Sequence, residues 1–146
     1  MGKPELVHIG MTVSDIDKIV DFYVNYLDFT LEGKMTFSKD FIGAKPQLYK
    51  QKEGVYSDAA FIKSPNGIVL ELFQFSDPLP AEEPVWNRPG YHHLCIKVDN
   101  AKAITDKMKE GGIELYFEPD PMGDPKNNNH WVFLRDPDGN MIELQD

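Results

Sequence analysis

Four side chains of this 146-residue chain are of types that bind metals and transfer protons, and they occur as two matched pairs. His8 and His93 each lie in a strand-like run that has a Val five places on, followed by a polar residue. Glu71 and Glu143 each come four residues after the Gly of a Pro-x-Gly turn, flanked by Leu or Ile. Two imidazoles and two carboxylates form an N₂O₂ set that suits Ni²⁺, Co²⁺, Zn²⁺, Mn²⁺ or Fe²⁺. In an octahedral shell, this set would leave two positions open for water or substrate.

The two pairs belong to an internal repeat, and each copy predicts a strand, a helix and three further strands. Ser14 is expected to cap the first helix through a capping box with Asp17, and Asp99 to cap the second, which ends at Gly111-Gly112. The predicted strands are Glu5–Val13, Phe29–Phe37, Ala59–Lys63 and Ile68–Phe75 in the first copy, and Tyr91–Val98, Ile113–Phe117, Trp131–Arg135 and Asn140–Leu144 in the second.

The repeat predicts an α+β fold of two βαβββ modules within one domain covering residues 1–146. Module 1 spans about residues 4–76 and module 2 about residues 90–146, joined by a proline-rich linker at about residues 77–89. The first copy is longer than the second between its His and its Glu. We place the surplus in Gly33–Tyr56, which is rich in lysine and could form either a lid over an anionic substrate or a solvated loop.

Alternation along the strands predicts which side chains share a face of the sheet. His8 and His93 are expected opposite the helices, with His92 on the helix side and Cys95 as a small buried residue on the face of His93. Glu71 and Glu143 interrupt apolar strands, where an unpaired buried charge would cost several kcal/mol. Each carboxylate therefore needs a compensating partner, and a metal ion would supply one.

Composition and charge exclude several classes of protein. Lys and Arg number 15 against 24 Asp and Glu, for a net charge of −9, which argues against a nucleic-acid binder. The single cysteine excludes an intramolecular disulfide and indicates a reducing compartment. The sequence has neither a signal-peptide pattern nor an apolar run long enough for a membrane span, so we expect a soluble, cytoplasmic protein.

The repeated motifs resemble those of the vicinal oxygen chelate superfamily, which includes glyoxalase I, methylmalonyl-CoA epimerase, fosfomycin-resistance enzymes, extradiol dioxygenases and bleomycin-resistance proteins. The resemblance covers nearly the whole chain and rests on three segments: the eight residues from His8 to Asp15, the seven from His93 to Asp99 and the nine from Asp136 to Leu144. It implies that the modules form a cup-shaped, partly open β-barrel around one divalent metal ion. Family members build this cup within one chain or between two, and a homodimer is our default expectation.

Carried over position by position, the resemblance assigns the metal to His8, Glu71, His93 and Glu143. A His/Glu/His/Glu set is most similar to glyoxalase I and related isomerases and epimerases. The implied activity is a lyase, isomerase, epimerase or racemase acting on a small oxygenated carbonyl compound, with proton abstraction next to the carbonyl through a metal-bound enolate. Glu143 is the first choice of base, and Glu71 could share the work. Thr12 stands where bacterial glyoxalase I usually carries an Arg, which weakens a glutathione assignment.

Two alternatives from other classes remain open at this stage. An extradiol-type dioxygenase would use two His and one Glu, so Glu71 would stay off the metal. A metal-free protein that sequesters an antibiotic or another small molecule would need other partners for both carboxylates. His130 could touch substrate but is more typical of a turn. Five aromatic residues are considered for a pocket wall: Phe37, Phe41, Tyr49, Tyr56 and Trp131.

Overall fold

The computed structural model describes residues 2–123, 126 and 128–146, and the chain divides into two compact units. The first unit is Met1–Pro80 and the second is Ala81–Asp146. Each contains one four-stranded sheet and follows the βαβββ order that the repeat predicts. Across the described ranges, no helix is long and apolar enough to cross a membrane.

The first unit begins with strand β1 and helix α1 and continues through β2, two short helices, β3 and β4. The bounds are β1 His8–Thr12, α1 Ile16–Leu27, β2 Thr30–Phe37, α2 Lys39–Gly43, α3 Pro46–Tyr49, β3 Ser57–Lys63 and β4 Val69–Phe75. The sheet order is β1-β4-β3-β2, in which β1 runs parallel to β4 and the other neighbours are antiparallel.

The second unit repeats this topology, but the strand that follows its helix has only two residues. Its bounds are β5 His93–Lys97, α4 Ala101–Glu110, β6 Asp120–Pro121, β7 His130–Arg135 and β8 Met141–Gln145. The sheet order is β5-β8-β7-β6, with β5 parallel to β8.

The predicted strand Ile113–Phe117 is wrong. Only Leu115 pairs there, through an isolated bridge to Leu134, and the paired strand β6 forms later, at Asp120–Pro121. Residues 116 and 117 lie in a bend, so the pairing does not continue past Leu115. In the first unit, the segment Gly33–Tyr56 holds α2 and α3, which periodicity did not predict because helices of four or five residues are too short to show it.

Both helix caps lie one residue later than predicted, at repeat-equivalent positions. Asp15 caps α1 by accepting from the backbone N–H of Lys18, and Asn100 caps α4 by accepting from that of Ala103. Ser14 and Asp99, the predicted caps, precede them. Since Asp and Asn are both favoured caps, neighbouring polar residues cannot be ranked by type alone.

The core of each unit lies where its helix packs on its sheet. Leu70 and Leu72, which flank Glu71, are buried, as are Ile142 and Leu144 beside Glu143. Five apolar residues at helical spacing in α1 are buried: Ile16, Ile19, Val20, Tyr23 and Leu27. In α4 the buried residues are Ala101, Thr105 and Met108, and the Thr105 hydroxyl donates to the carbonyl of Ala101.

The turn before each Glu strand has the same geometry in both units. Gly67 and Gly139 have φ of +97° and +83°, in the left-handed region that favours glycine. Ser64 and Asp136 occupy the start of the two turns, and each side chain accepts a backbone N–H from four residues later. Burial raises the pKa of Asp136 above 3.8, although hydrogen bonds from Asn140 and Asp138 act in the opposite direction.

Candidate functional site

In the first unit, β1 and β4 bring His8 and Glu71 together. Parallel pairing sets Gly10 opposite Glu71. His8 lies two residues before Gly10, so its side chain is on the same face of the sheet as the Glu71 carboxylate. His8 Nε2 lies 2.9 Å from Glu71 Oε2. The Glu71 side chain is 13% exposed and that of His8 is 47% exposed, so the carboxylate is mostly shielded from solvent and the imidazole is accessible.

The second unit forms the same pair from equivalent residues in the same register. Cys95 lies opposite Glu143 in the parallel pairing of β5 and β8, as Gly10 lies opposite Glu71. His93 Nε2 lies 3.3 Å from Glu143 Oε2, and their side chains are 23% and 13% exposed. The structure therefore brings the four predicted ligands together two by two, one His–Glu pair in each unit.

The atoms of each pair are spaced as two ligands of one metal ion would be. Nitrogen and oxygen ligands at 2.0–2.2 Å from a metal, with an angle of about 90° between them, lie about 3 Å apart. The observed separations of 2.9 Å and 3.3 Å match this spacing. Each pair therefore has the donor types and the spacing of two ligands of a divalent cation. In the described ranges, no three His, Cys, Asp or Glu side chains lie together in an arrangement that could hold a metal.

The second pair has polar neighbours on both of its members. The Nδ1 atoms of His92 and His93 are 2.7 Å apart and share a hydrogen bond. Gln145 Nε2 donates to Glu143 Oε1 at 2.7 Å. The prediction that His92 lies on the helix side is wrong, because residue 92 precedes β5 and its ring stacks on that of His93.

An aromatic wall also surrounds His93. The ring of Trp86, from the segment that joins the modules, has its centroid 5.3 Å from that of His93. The centroid of the Phe133 ring is 5.1 Å from that of His93. Trp86 also packs against His92 and Phe133. Sequence reasoning assigned no role to Trp86 or Gln145. The Gln145 signal was available, since it stands two residues after Glu143 and therefore shares its face.

Cys95 is exposed and not a buried filler as expected. Strand β5 is the edge strand of its sheet, so Cys95 has a strand on only one side of it. Partial burial, the negative charge of Glu143 and a hydrogen bond with that carboxylate raise the pKa of the thiol to about 11. The hydrogen bond with Glu143 places the thiol in contact with the second His–Glu pair.

Three of the five aromatic residues considered for a pocket wall do form a cluster in the first unit. Phe37 packs against Phe41 and Phe73, and Phe41 also contacts Tyr49. Phe73 stands two residues after Glu71 on β4. The other two do not join this cluster in any described ring contact: Tyr56 is exposed, and Trp131 packs against Phe117 and Phe133 in the second unit.

Two further regions considered from sequence lie outside the His–Glu pairs. His130 begins β7, and its Nδ1 lies 3.5 Å from Asp146 Oδ1, beside an open cavity of about 580 Å³ near the start of α4. In the lysine-rich segment, Lys34 and Lys52 form ion pairs with Asp17 and Asp77. A hydrogen bond from Lys34 to Asp17, together with that residue's charge, raises the pKa of Lys34.

Two βαβββ units that each carry a His–Glu pair in the same register define a glyoxalase-like class of α+β protein. The chain belongs to the Glyoxalase/Bleomycin resistance protein/Dioxygenase superfamily, which matches residues 5–144. The predicted superfamily and fold class are thereby confirmed.

Named relatives include both lyases and an epimerase. The chain is 28% identical over 149 residues to a probable lactoylglutathione lyase of Vibrio cholerae, covering 99% of this chain and 91% of that protein. It is 26% identical over 150 residues to a 2-epi-5-epi-valiolone epimerase of an Actinomyces species, covering 98% and 79%. Among solved structures, a glyoxalase family protein of Bacillus cereus superposes with a TM-score of 0.76 at 20% identity, over 99% of this chain and 97% of that one. These relatives support a function within the superfamily.

Proposed function

We propose that the protein is a divalent-metal-dependent lyase, isomerase or epimerase that abstracts a proton next to a carbonyl in a small oxygenated substrate. The observation that carries this proposal is the duplicated His–Glu pair. Both pairs have ligand spacing, the same strand register and a carboxylate that is only 13% exposed. The lyase and epimerase names of the relatives support the same chemistry, since both reactions begin by breaking a C–H bond beside a carbonyl.

Four side chains would hold the cation: His8 and His93 through Nε2, and Glu71 and Glu143 through their carboxylates. They would do so either within one chain or between two chains of a homodimer. When bound, a divalent cation acts as a Lewis acid toward the oxygens of a substrate.

The proton transfer is assigned to a carboxylate. Glu143 is the proposed base and takes the proton from the carbon next to the carbonyl. The C–H electron pair forms a carbon–carbon double bond while the π pair of the carbonyl moves onto its oxygen, and Glu143 then returns the proton to a carbon atom to give the product. Gln145 donates to Oε1 of Glu143, which leaves Oε2 free of that bond. In an epimerase or racemase, Glu71 would share the work, with one carboxylate removing the proton and the other delivering it to the opposite face.

Metal analysis and isotope exchange test this proposal together. Protein purified with added Co²⁺ or Zn²⁺ should retain the ion through dialysis. A candidate α-hydroxy or α-dicarbonyl substrate should then gain deuterium at the α-carbon in D₂O. Oxygen consumption with a catechol would identify a dioxygenase instead, and a protein that cannot be loaded with any divalent ion would indicate sequestration.

The variants Glu143→Gln and Glu71→Gln distinguish the role of each carboxylate as a base from its role as a metal ligand. Gln removes the basic carboxylate but keeps an oxygen donor, so Glu143→Gln should abolish deuterium exchange while part of the metal binding remains. Full exchange activity in metal-loaded Glu143→Gln would overturn the role of Glu143. In a lyase, Glu71→Gln should retain more exchange than Glu143→Gln, whereas an epimerase should lose turnover in both.

A further inference from the structure

The ring of His92 is the immediate polar neighbour of the candidate ligand His93. Their Nδ1 atoms are 2.7 Å apart, and their rings stack with centroids 4.8 Å apart at an angle of 24°. Neither the superfamily match nor the paired His–Glu pattern assigns a task to His92.

The hydrogen bond between two Nδ1 atoms restricts where the ring hydrogens can lie. In two neutral imidazoles, one Nδ1 must carry the hydrogen that it donates and the other must accept with its lone pair. A metal bound at His93 Nε2 needs the lone pair of that nitrogen, so the hydrogen of His93 must then be on Nδ1. His92 is consequently the acceptor at Nδ1 and carries its own hydrogen on Nε2.

We propose that His92 is a positioning residue of the metal centre, which holds the His93 ring in the orientation and tautomer that direct the Nε2 lone pair at the cation. The proposal rests on the proposed function, in that His93 must be a ligand. Metal-binding imidazoles generally donate their second N–H to a carboxylate, a carbonyl or water, and the loss of this partner typically weakens metal affinity about 10-fold to 100-fold. Here an imidazole takes the place of the carboxylate.

The repeat provides an internal comparison. Val7 occupies the position before His8 that His92 occupies before His93. A valine side chain can neither donate nor accept a hydrogen bond. The two halves of the centre are therefore inequivalent, and only the second has a ring nitrogen at this position to hold its His ligand.

Three substitutions distinguish hydrogen bonding from packing at residue 92. His92→Phe keeps a ring to stack on His93 and Trp86 but removes the acceptor. His92→Asn loses the ring but places Oδ1 where Nδ1 stood, so an acceptor remains. Val7→Ala is the matched control in the other half. The affinity of each metal-free protein for Co²⁺ is measured by competition with a chromophoric chelator.

We expect His92→Phe to bind Co²⁺ about 10-fold to 100-fold more weakly than the unaltered protein. His92→Asn should stay within about threefold of the unaltered protein, as should Val7→Ala. Equal affinity of His92→Phe and the unaltered protein would overturn the proposal. So would equal weakening by His92→Phe and His92→Asn, since the acceptor that Asn retains would then contribute nothing to metal binding. Unfolding temperatures measured in chelator should be alike for all four proteins.

A spectroscopic measurement on the unaltered protein does not depend on any variant. In the Zn²⁺-loaded protein, ¹⁵N spectra of the imidazoles should give His92 protonated at Nε2 and unprotonated at Nδ1. A hydrogen on Nδ1 of His92 would overturn the proposal. Failure of the unaltered protein to bind Co²⁺ or Zn²⁺ would overturn the proposed function together with this inference. Normal binding with an unaffected His92→Phe variant would overturn this inference alone.

Discussion

The two candidate ligand pairs differ most clearly in the residues beside them. Position by position, Val7, Gly10 and Phe73 in the first copy correspond to His92, Cys95 and Gln145 in the second. The polar group of all three second-copy residues contacts His93 or Glu143. Both copies therefore carry a candidate His and Glu ligand, whereas these three polar neighbours belong to the second copy.

The thiol of Cys95 should react slowly for an exposed cysteine. Partial burial, the charge of Glu143 and a hydrogen bond to that carboxylate raise its pKa above the ordinary range of a thiol, to about 11. Since the thiolate is the nucleophile, alkylation by iodoacetamide at pH 8 in chelator should be about 100-fold slower than for a free cysteine. The rate should keep rising with pH up to about 11.

The variant Glu143→Gln provides the control for this prediction. It removes the negative charge next to the thiol, so its alkylation profile should shift to lower pH. A rate in the unaltered protein that levels off near pH 9 would contradict the prediction.

At the scale of single elements, the position of each helix cap can be tested directly. Asn100→Ala removes the side chain that accepts from the backbone N–H of Ala103, which should lower the free energy of unfolding by about 1 kcal/mol. Asp99→Ala, at the position predicted from sequence, should change it by less than about 0.5 kcal/mol. Denaturant unfolding of both variants measures the difference, and equal losses would contradict the assignment of Asn100 as the cap.

Helix α4 is also held at its start by Asp146, and this contact should depend on pH. Asp146 accepts backbone N–H groups from Ala101 and His130 at 2.8 Å and 2.6 Å. Burial alone would raise the pKa of Asp146, but these hydrogen bonds and the interaction with His130 outweigh it and lower the pKa below 3.8. Because the folded-state pKa is the lower one, the ionised carboxylate stabilises the fold above pH 3.8 and loses this effect as the pH falls further.

The comparison of the unaltered protein with Asp146→Asn tests this contact. Asp146→Asn should unfold at a lower temperature near pH 6, and the gap between the two proteins should shrink as the pH falls below 3.8. Asp99→Asn, at an exposed position near the same helix end, is the control and should show little gap at any pH. A gap between the unaltered protein and Asp146→Asn that does not change with pH would contradict the role of the charge.

At the scale of the whole molecule, the proposed centre predicts a stoichiometry. If all four ligands share one cation, the protein should bind one divalent ion per chain, and binding should raise the free energy of unfolding by about 2.7 kcal/mol at a free metal concentration 100 times the Kd. Two ions per chain, measured by elemental analysis after dialysis, would mean that each His–Glu pair binds its own ion.

Mixing two inactive variants distinguishes a centre within one chain from a centre between two chains. One variant carries His8→Ala and Glu71→Gln, and the other carries His93→Ala and Glu143→Gln. If the ligands come from two chains, hybrid dimers should regain one intact centre and part of the activity. If they come from one chain, mixing should restore nothing.

Much of each half-site could be predicted from the sequence because the signals are local. Glu71 and Glu143 each follow a turn by a fixed number of residues, and alternation along a strand sets the face on which each lies. The parallel register, with Gly10 opposite Glu71 and Cys95 opposite Glu143, then brings each Glu to the preceding His of its own copy.

The sequence alone determined the βαβββ repeat and the matched His and Glu residues, because periodicity and turn chemistry act over a few residues, and its motifs resemble those of the superfamily to which the chain belongs. The tertiary structure decided that His92 turns its ring onto His93, that Trp86 reaches that ring from the joining segment and that Asp146 closes the start of α4. Such contacts depend on the path that the chain takes through irregular segments between the strands and helices. Neither hydrophobic period nor residue type encodes that position.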